Sequence, residues 1–297
     1  MVDVLPPADS VVYQESTHKT VDGREIYYCE SYPKGGVHRA AVAVVHGLGE
    51  HCGRYKELSS TLNNIGVSVH YIDLRGHGKS DGPRVYVNRF DEFLDDVDVL
   101  LGNITKNPEN TGKPVFLFGH SMGGCISALY VLERLKNREY SQSIKGLILS
   151  SPGLAFAEGN TDSCTVFIGK ILSVIFPNFP LKGIDVNNLS RDPECIKAIT
   201  NDPLAFHGKV PIRTLTEFLG AQQKIENSHK EVTIPLYIFH GTLDKLTCHK
   251  ASKIYHSGIA STDKTIKIYE GHFHECMNDI EKHIVFKGIV DWIEERV

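Results

Sequence analysis

Short apolar segments rich in β-branched residues recur along the chain, and stretches with helical spacing lie between them. Apolar residues fall on one helical face between residues 93 and 104, and again between residues 125 and 135. Strands that alternate with helices predict an α/β fold with a mostly parallel central sheet flanked by helices. The segments with the length of a strand are Glu25 to Tyr28, Ala40 to Val45, Val67 to Ile72, Val115 to Phe118, Leu147 to Leu149, Leu236 to Phe239 and Thr265 to Tyr269.

The alternation stops between Pro152 and Glu231, where prolines are frequent and no strand is predicted. Within this region, the stretch from Val166 to Phe176 has helical character and is apolar on nearly all sides. We interpret residues 152–231 as a helical lid inserted into an α/β core made of residues 1–151 and 232–297. Two interpretations of the apolar stretch stay open: it packs on the core, or it also contacts membrane surfaces.

The composition is that of an ordinary soluble globular protein of 297 residues, 41% hydrophobic and 23% charged, with a formal net charge of −4. This balance offers no basic surface for nucleic acid. The N-terminal residues lack the pattern of a signal peptide. Seven cysteines without a CxxC pair favour reduced thiols in the cytoplasm over disulfides or a zinc site. The stretch from Val166 to Phe176 is too short to span a bilayer.

Residues 118–125 read FGHSMGGC and follow directly on the apolar segment that starts at Val115. A strand followed at once by Gly-x-Ser-x-Gly is the sequence form of a nucleophile elbow, a tight strand-to-helix turn that presents a serine hydroxyl. Ser121 is therefore the candidate nucleophile. The pattern indicates a catalytic serine only if an acid and a histidine are also found later in the chain, because serine is a weak nucleophile without a base.

The acid and the base of such a serine lie just beyond the ends of later strands, in the chain order Ser, Asp or Glu, His. Asp244 follows a predicted strand in HGTLDKL, and His274 follows the last one in EGHFHE. His272 competes with His274, but His274 is placed where the loop can turn back over the sheet. Asp263 and Asp279 are also acidic, but neither follows a strand. We therefore assign Asp244 and His274.

Hydrolysis of an ester also requires backbone N–H groups that stabilise the oxyanion. One comes from the residue after the nucleophile, and the other from a loop after an early strand. These positions are Met122 and Leu48, the latter in the sequence HGLG. The alternative for HGLG is a simple glycine turn. No metal and no cofactor are expected for this chemistry.

Several motifs together resemble the monoglyceride lipase and lysophospholipase-like branch of the α/β-hydrolase superfamily. They read HGLGEHCGRY, DLRGHGKSDG, GHSMGG, NDPL, GTLDKL and KIYEGHFH, and the resemblance runs from about Ile26 to Trp292. It implies an α/β-hydrolase fold with a helical lid and a cofactor-free serine hydrolase. The positions that match the triad and the oxyanion hole of the family are Ser121, Asp244, His274, Leu48 and Met122.

The same resemblance extends to the polar end of the substrate site. Glu50 and Arg54 match positions that the family associates with the substrate head group, and the alternative is an ion pair that braces the loop. The segment RGHGKSDG, from residue 75 to 82, matches a family motif that we interpret as a structural turn. Two positions depart from the family: Met277 stands where a second histidine is usual, and Thr200 where a tyrosine is common.

The predicted function is cleavage of the carboxylic ester of long-chain monoacylglycerols to fatty acid and glycerol, through an acyl-enzyme. Rival activities are those of a lysophospholipase, a general carboxylesterase or an aminopeptidase, because the fold does not determine the bond cleaved. A non-catalytic lipid-binding protein is a different class, and the filled triad positions disfavour it. The expected partner is a lipid ester, with peripheral membrane contact through the lid, and the oligomeric state stays open.

Overall fold

The computed structural model describes residues 11, 13–34, 38–157, 169 and 171–297. Its strands are β1 (Tyr13–Lys19), β2 (Glu25–Ser31), β3 (Ala40–Val45), β4 (Val67–Ile72), β5 (Val115–His120), β6 (Ile144–Ser150), β7 (Pro180–Gly183), β8 (Lys209–Pro211), β9 (Leu236–Gly241) and β10 (Lys264–Tyr269). Eight of them form one sheet in the order β1-β2-β4-β3-β5-β6-β9-β10. Only the pairs β1–β2 and β2–β4 of this sheet are antiparallel. The predicted mostly parallel sheet is confirmed.

The helices are α1 (Lys56–Asn64), α2 (Asp91–Lys106), α3 (Met122–Glu133), α4 (Pro193–Thr200), α5 (Ile212–Ser228), α6 (His249–Gly258) and α7 (Lys282–Glu294). Residues 171–175 are also helical. Successive side chains of a strand point to opposite faces, and those of β3 alternate between two apolar clusters. One cluster includes α2 and α3, and the other includes α1 and α7. The sheet is therefore covered by helices on both faces.

Every predicted strand segment lies within a strand of the central sheet. Two of them, Ala40–Val45 and Val67–Ile72, match their strands residue for residue. The sequence pattern misses β1, whose residues YQESTHK are mostly exposed. All seven residues of β1 pair with β2, so backbone hydrogen bonds rather than burial hold this edge strand, and apolar alternation cannot reveal it.

The described part of residues 152–231 contributes no strand to the central sheet and lies between β6 and β9 in the chain. The expectation that this region has no strand at all is wrong, because β7 and β8 pair as a short antiparallel ribbon. The residues of β7 are all exposed, and a ribbon this short shows no apolar alternation. The division into a core and a lid at these boundaries stays a prediction.

The predicted apolar helix is only partly described. Val166, Phe167, Ile168 and Lys170 lie outside the described residues. The side chains that follow are between 40% and 72% exposed, and they are Ile171, Leu172, Val174, Ile175 and Phe176. Packing on the core therefore does not account for them. Among the described helices, none has the length and apolar character required to cross a membrane.

The helix after the candidate nucleophile differs from its prediction. We expect one apolar face between residues 125 and 135, but α3 is buried on nearly every side, from Met122 to Tyr130 and at Leu132. It packs against β5, α2 and α5, which leaves little of its surface for solvent. Leu135 lies beyond the helix in a 3-10 turn. In α2, the predicted apolar face is buried as expected.

Candidate active site

Ser121 lies in a tight turn between β5 and α3. Its backbone has a φ of 52° and a ψ of −119°, a left-handed conformation that is strained in a residue with a side chain. Two glycines permit the turn, because a Cβ on Gly119 would lie 2.4 Å from the carbonyl oxygen of Gly123. A Cβ on Gly123 would lie 2.1 Å from the carbonyl oxygen of Val45. The Gly-x-Ser-x-Gly sequence therefore forms a strand-turn-helix elbow.

The loop after β3 lies against this serine. A Cβ added to Gly47 would come within 3.1 Å of the Cβ of Ser121, so a larger residue would push the loop away. In the described part of the chain, the backbone N–H groups of Leu48 and Met122 have no protein acceptor. Unpaired N–H donors next to a nucleophile are the arrangement that an oxyanion hole requires.

Buried side chains hold the loop in place. Glu50 accepts a hydrogen bond from the N–H of Gly47 and another, of 2.8 Å, from the Tyr55 hydroxyl. The N–H of Leu74 donates to Nε2 of His46 at 2.9 Å. Burial lowers the pKa of His46, so its ring is neutral and can accept this bond. The loop is thus fixed from both of its ends.

Asp244, in the loop after β9, is surrounded by donors. Its Oδ1 accepts the backbone N–H groups of Leu246 and Thr247 at 2.7 and 3.0 Å. Its Oδ2 lies 2.7 Å from Nδ1 of His274 and 2.9 Å from Nε2 of His240. The Thr247 hydroxyl lies 2.7 Å from the same oxygen. The carboxylate is therefore held in one orientation, and the two residues assigned from the sequence are in direct contact.

The contact changes the acidity of both partners. Burial alone would raise the pKa of Asp244, but the neighbouring His274 and the hydrogen bonds from His274 and His240 hold that pKa well below its usual range. Burial alone would lower the pKa of His274, but the Asp244 carboxylate raises it. Because Nδ1 of His274 faces the carboxylate, the proton resides there, and Nε2 is free to act as a base.

The three rival candidates lie near other charged groups instead. Nε2 of His272 lies 3.7 Å from a carboxylate oxygen of Glu281. Asp263 and Asp279 form ion pairs with arginines at 2.6 and 3.0 Å. The geometry therefore supports Asp244 and His274 over these three alternatives.

Ser121 and His274 line one cavity of about 580 Å³, together with Leu48, Glu50 and Arg54. This volume is typical of a small-molecule site. Much of the apolar wall comes from residues 152–231. Its members include Phe156, Leu189, Ile199, Phe206, Leu215 and Phe218. The cavity thus combines a long apolar wall with a few polar groups.

Arg54 joins two carboxylates in the cavity wall. It makes a two-pronged hydrogen bond to Glu275, at 2.8 and 2.6 Å, and a bond of 3.2 Å to Glu50. Although burial opposes ionisation, Arg54 lowers the pKa of Glu275 to about 2. The ion pair between Glu50 and Arg54 braces the loop, as one of the two sequence interpretations expects, and both residues also face the cavity.

Sequence reasoning missed Glu275, His240 and Thr247. Two of these residues could have been noticed in the sequence. Glu275 directly follows His274, and His240 begins a His-Gly pair like the one at His46. Their contacts depend on partners that are distant along the chain, and no spacing rule reveals these. Of the two departures from the family, Thr200 lines the cavity, and Met277 is buried in the apolar cluster that includes α7.

The turn that follows β4 is held by buried hydrogen bonds and an ion pair. The two carboxylate oxygens of Asp73 accept the N–H groups of Cys52 and Lys79, each at 2.8 Å. Arg75, which is 2% exposed, pairs with the buried Asp96 at 2.7 Å. These contacts agree with our interpretation of this segment as a structural turn.

Neither a metal-ligating cluster nor a disulfide is found among the described residues. Among the described residues, no group of three or more histidine, cysteine, aspartate or glutamate side chains is arranged to hold a metal ion. The described cysteines are free thiols, at positions 29, 52, 125, 195, 248 and 276. The expected cytoplasmic location stays a prediction.

Comparison with known families identifies the family and the fold. The family described as "Serine aminopeptidase, S33" matches residues 36–281, a range that contains every site residue described above. The chain belongs to this family. The predicted α/β-hydrolase fold class is confirmed, and the chain is a hydrolase.

Two relatives in this family are similar over most of their length. The monoglyceride lipase of Rattus norvegicus is 32% identical over 291 residues, which cover 97% of this chain and 93% of the relative. The monoacylglycerol lipase of Mycolicibacterium smegmatis is 32% identical over 255 residues, which cover 86% and 88%. The predicted resemblance to the monoglyceride lipase-like branch is confirmed.

A solved structure in the family shares the fold. The crystal structure of Paleococcus ferrophilus monoacylglycerol lipase matches with a TM-score of 0.77 and 31% identity, over 90% of this chain and 98% of that one. The shared fold therefore extends over most of both chains.

Proposed function

We propose that this hydrolase cleaves the carboxylic ester bond of long-chain monoacylglycerols to a fatty acid and glycerol. The observation that carries the proposal is the contact of 2.7 Å between Asp244 and His274, in a largely apolar cavity that Ser121 also lines. The names of the two relatives, monoglyceride lipase and monoacylglycerol lipase, support the same substrate class.

In the proposed acylation step, His274 Nε2 takes the proton of Ser121 as the serine oxygen attacks the ester carbonyl carbon. Asp244 holds the other ring proton and stabilises the imidazolium. The tetrahedral intermediate then breaks its bond to the glycerol oxygen, which receives the proton from Nε2. The acyl group remains on Ser121.

In the proposed deacylation step, water gives a proton to His274 Nε2 while its oxygen attacks the acyl carbon. The bond to the Ser121 oxygen then breaks, this oxygen takes the proton back from Nε2, and the fatty acid is released. We assign the oxyanion in both steps to the N–H groups of Leu48 and Met122. A single donor of this kind typically contributes about 10²- to 10³-fold in rate.

The apolar wall suits an acyl chain. Burial of about ten methylenes, at about 0.8 kcal/mol each, contributes about 8 kcal/mol of gross binding free energy. The ordering of the chain and the loss of its free motion reduce this value. Binding energy of this size explains why a lipid ester suits the cavity better than a small polar ester.

We propose that Glu50, Arg54 and Glu275 face the head group. Because Arg54 is paired with two carboxylates, this buried cluster carries one net negative charge. Glycerol hydroxyls can donate to the carboxylates, whereas a phosphate would be repelled by them. Lys182 and Lys245 also line the cavity, but both are exposed, so solvent screens their charges more strongly.

The test compares head groups on one acyl chain. We expect kcat/KM for monooleoylglycerol to exceed that for oleoyl lysophosphatidylglycerol by at least about tenfold, a difference of about 1.4 kcal/mol. Lysophosphatidylcholine and an aminoacyl anilide complete the panel. A preference for a lysophospholipid would favour a lysophospholipase, and cleavage of the anilide alone would favour an aminopeptidase.

We also propose that the exposed apolar side chains of this segment contact the surface of membranes or micelles; they are Ile171, Leu172, Val174, Ile175 and Phe176. The neighbouring Phe179 and Leu181 are 56% and 49% exposed, which extends the apolar surface. An apolar helical face of this kind can rest in the lipid headgroup region without crossing the bilayer. The enzyme would then collect its substrate from a lipid surface.

The double substitution Ile171→Ser and Ile175→Ser tests this contact. We expect activity on micellar monoacylglycerol to fall by about tenfold or more, because burial of one such side chain is worth about 1.5–3 kcal/mol. Activity on a short soluble ester should hardly change. Ile254→Ser, at an exposed isoleucine of α6, is the matched control. Equal losses on both substrates would show that these residues stabilise the fold instead.

A further inference from the structure

His240 makes a buried contact that the proposed mechanism does not use. This residue of β9 has no exposed surface. Its Nε2 lies 2.9 Å from Oδ2 of Asp244, and Nδ1 of His274 lies 2.7 Å from the same oxygen. One carboxylate oxygen therefore contacts two imidazole rings.

The second nitrogen of His240 indicates which tautomer is present. Its Nδ1 lies 2.8 Å from the hydroxyl oxygen of Ser252 on α6, and this hydroxyl can donate to it. A lone pair on Nε2 would repel the carboxylate of Asp244. We therefore assign the proton to Nε2 and the acceptor role to Nδ1. Burial lowers the pKa of His240, which keeps the ring neutral.

Other ionisable groups face the two rings. The His249 ring, at the start of α6, has its centroid 6.3 Å from that of His240. The His120 ring, at the end of β5, has its centroid 5.0 Å from that of His274. The negative groups near His274, besides its carboxylate partner, are Glu275 and Glu50. Substitution of His240 leaves all these groups in place, so a change in the titration of His274 would report on His240 itself.

We propose that His240 is a positioning residue whose Nε2–H holds the Asp244 carboxylate towards His274 and withdraws charge from the shared oxygen. The proposal rests on the proposed function, in which Asp244 acts through His274. A donor on a carboxylate stabilises its charged form. Without this donor, Asp244 becomes a stronger base, the imidazolium of His274 is better stabilised, and the pKa of His274 rises.

The test compares His240→Leu with His240→Gln, which keeps an N–H donor near the position of Nε2. The acid limb of the pH profile of kcat/KM, measured on a short soluble ester, reports the pKa of His274. In His240→Leu, we expect this limb to move to higher pH by about one unit and kcat to fall by about tenfold. In His240→Gln, both should return towards the values of the unchanged enzyme.

A second readout does not depend on turnover. The low-field proton NMR signal of the His274 Nδ1–H group, followed against pH, gives the same pKa directly. If the unchanged chain hydrolysed no ester, the proposed function would fail, but this titration would still test His240. Ser252→Ala removes the hydroxyl that donates to Nδ1 of His240, and so weakens the preference of His240 for a proton on Nε2. We expect a smaller rise in the pKa of His274, and this variant replaces His240→Leu in the test if His240→Leu does not fold. Unshifted profiles in both variants would overturn the proposal.

Discussion

Replacement of Ser121 by alanine is expected to reduce the turnover of a monoacylglycerol by about 10⁶-fold. Alanine lacks the hydroxyl that forms the proposed acyl-enzyme, whereas the contact between Asp244 and His274 does not involve that hydroxyl. Serine and alanine both carry a Cβ, so the backbone at position 121, with its φ of 52°, is strained to the same degree in both. Steady-state kinetics and fluorophosphonate labelling measure the loss, and we expect labelling to be stoichiometric in the unchanged enzyme and absent in the variant.

Ser127→Ala is the matched control for this experiment. Ser127 is also a buried residue of the α3 region, and in the described part of the chain its hydroxyl has no hydrogen-bond partner. We expect this variant to keep nearly full turnover and labelling. Substantial hydrolysis by Ser121→Ala would remove Ser121 from the mechanism. An equal loss in Ser127→Ala would indicate damage to α3 rather than loss of a nucleophile.

Substitution of Asp244 by asparagine is expected to lower kcat by about 10⁴-fold. The carboxylate accepts N–H groups on Oδ1 and faces His274 and His240 on Oδ2. Either orientation of the asparagine amide turns its NH₂ group towards existing donors. The orientation that keeps the backbone bonds favours the wrong tautomer of His274, with its proton on Nε2. Kinetics over a range of pH, together with a urea unfolding curve, separate this effect from lost stability.

Asp263→Asn and Asp279→Asn provide the comparison for Asp244. Both residues were alternatives for the acid, and each pairs with an arginine in the structure. We expect Asp263→Asn to leave kcat nearly unchanged, because its ion pair is partly exposed and such pairs contribute little. If Asp279→Asn lost activity while Asp244→Asn kept it, the assignment of the acid would be wrong.

The success of the strand predictions has a physical origin. The inner strands are buried on both faces, so they appear in the sequence as short, continuous apolar runs. The same burial explains why α3 is a helix, as expected, but lacks the single apolar face that was predicted for it: a helix enclosed on nearly all sides has little periodic contrast between apolar and polar faces. The sequence pattern misses β1 for the opposite reason. This exposed edge strand is held by backbone hydrogen bonds, which do not require apolar residues.

The candidate site was predictable where topology alone places a residue. Ser121, Asp244 and His274 each follow a strand of a parallel sheet, and the carboxyl ends of such strands meet at one edge. The double pairing of Arg54 could not be predicted, because Glu275 is far from it in the chain. For the same reason, two roles of Glu50 stayed open in the sequence: an ion pair with Arg54 that braces the loop, and a contact to the substrate head group. In the folded chain, one side chain can fill both roles.

The wall of the cavity and its reacting groups come from different stretches of the chain. The region between β6 and β9 supplies apolar wall residues such as Phe156, Leu189 and Phe206, while Ser121 and His274 follow strands of the central sheet. Substitutions between β6 and β9 can therefore change which ligands the cavity accepts while Ser121 and His274 keep their surroundings in the sheet. Ligand preference and bond cleavage are thus separable by mutation in this enzyme.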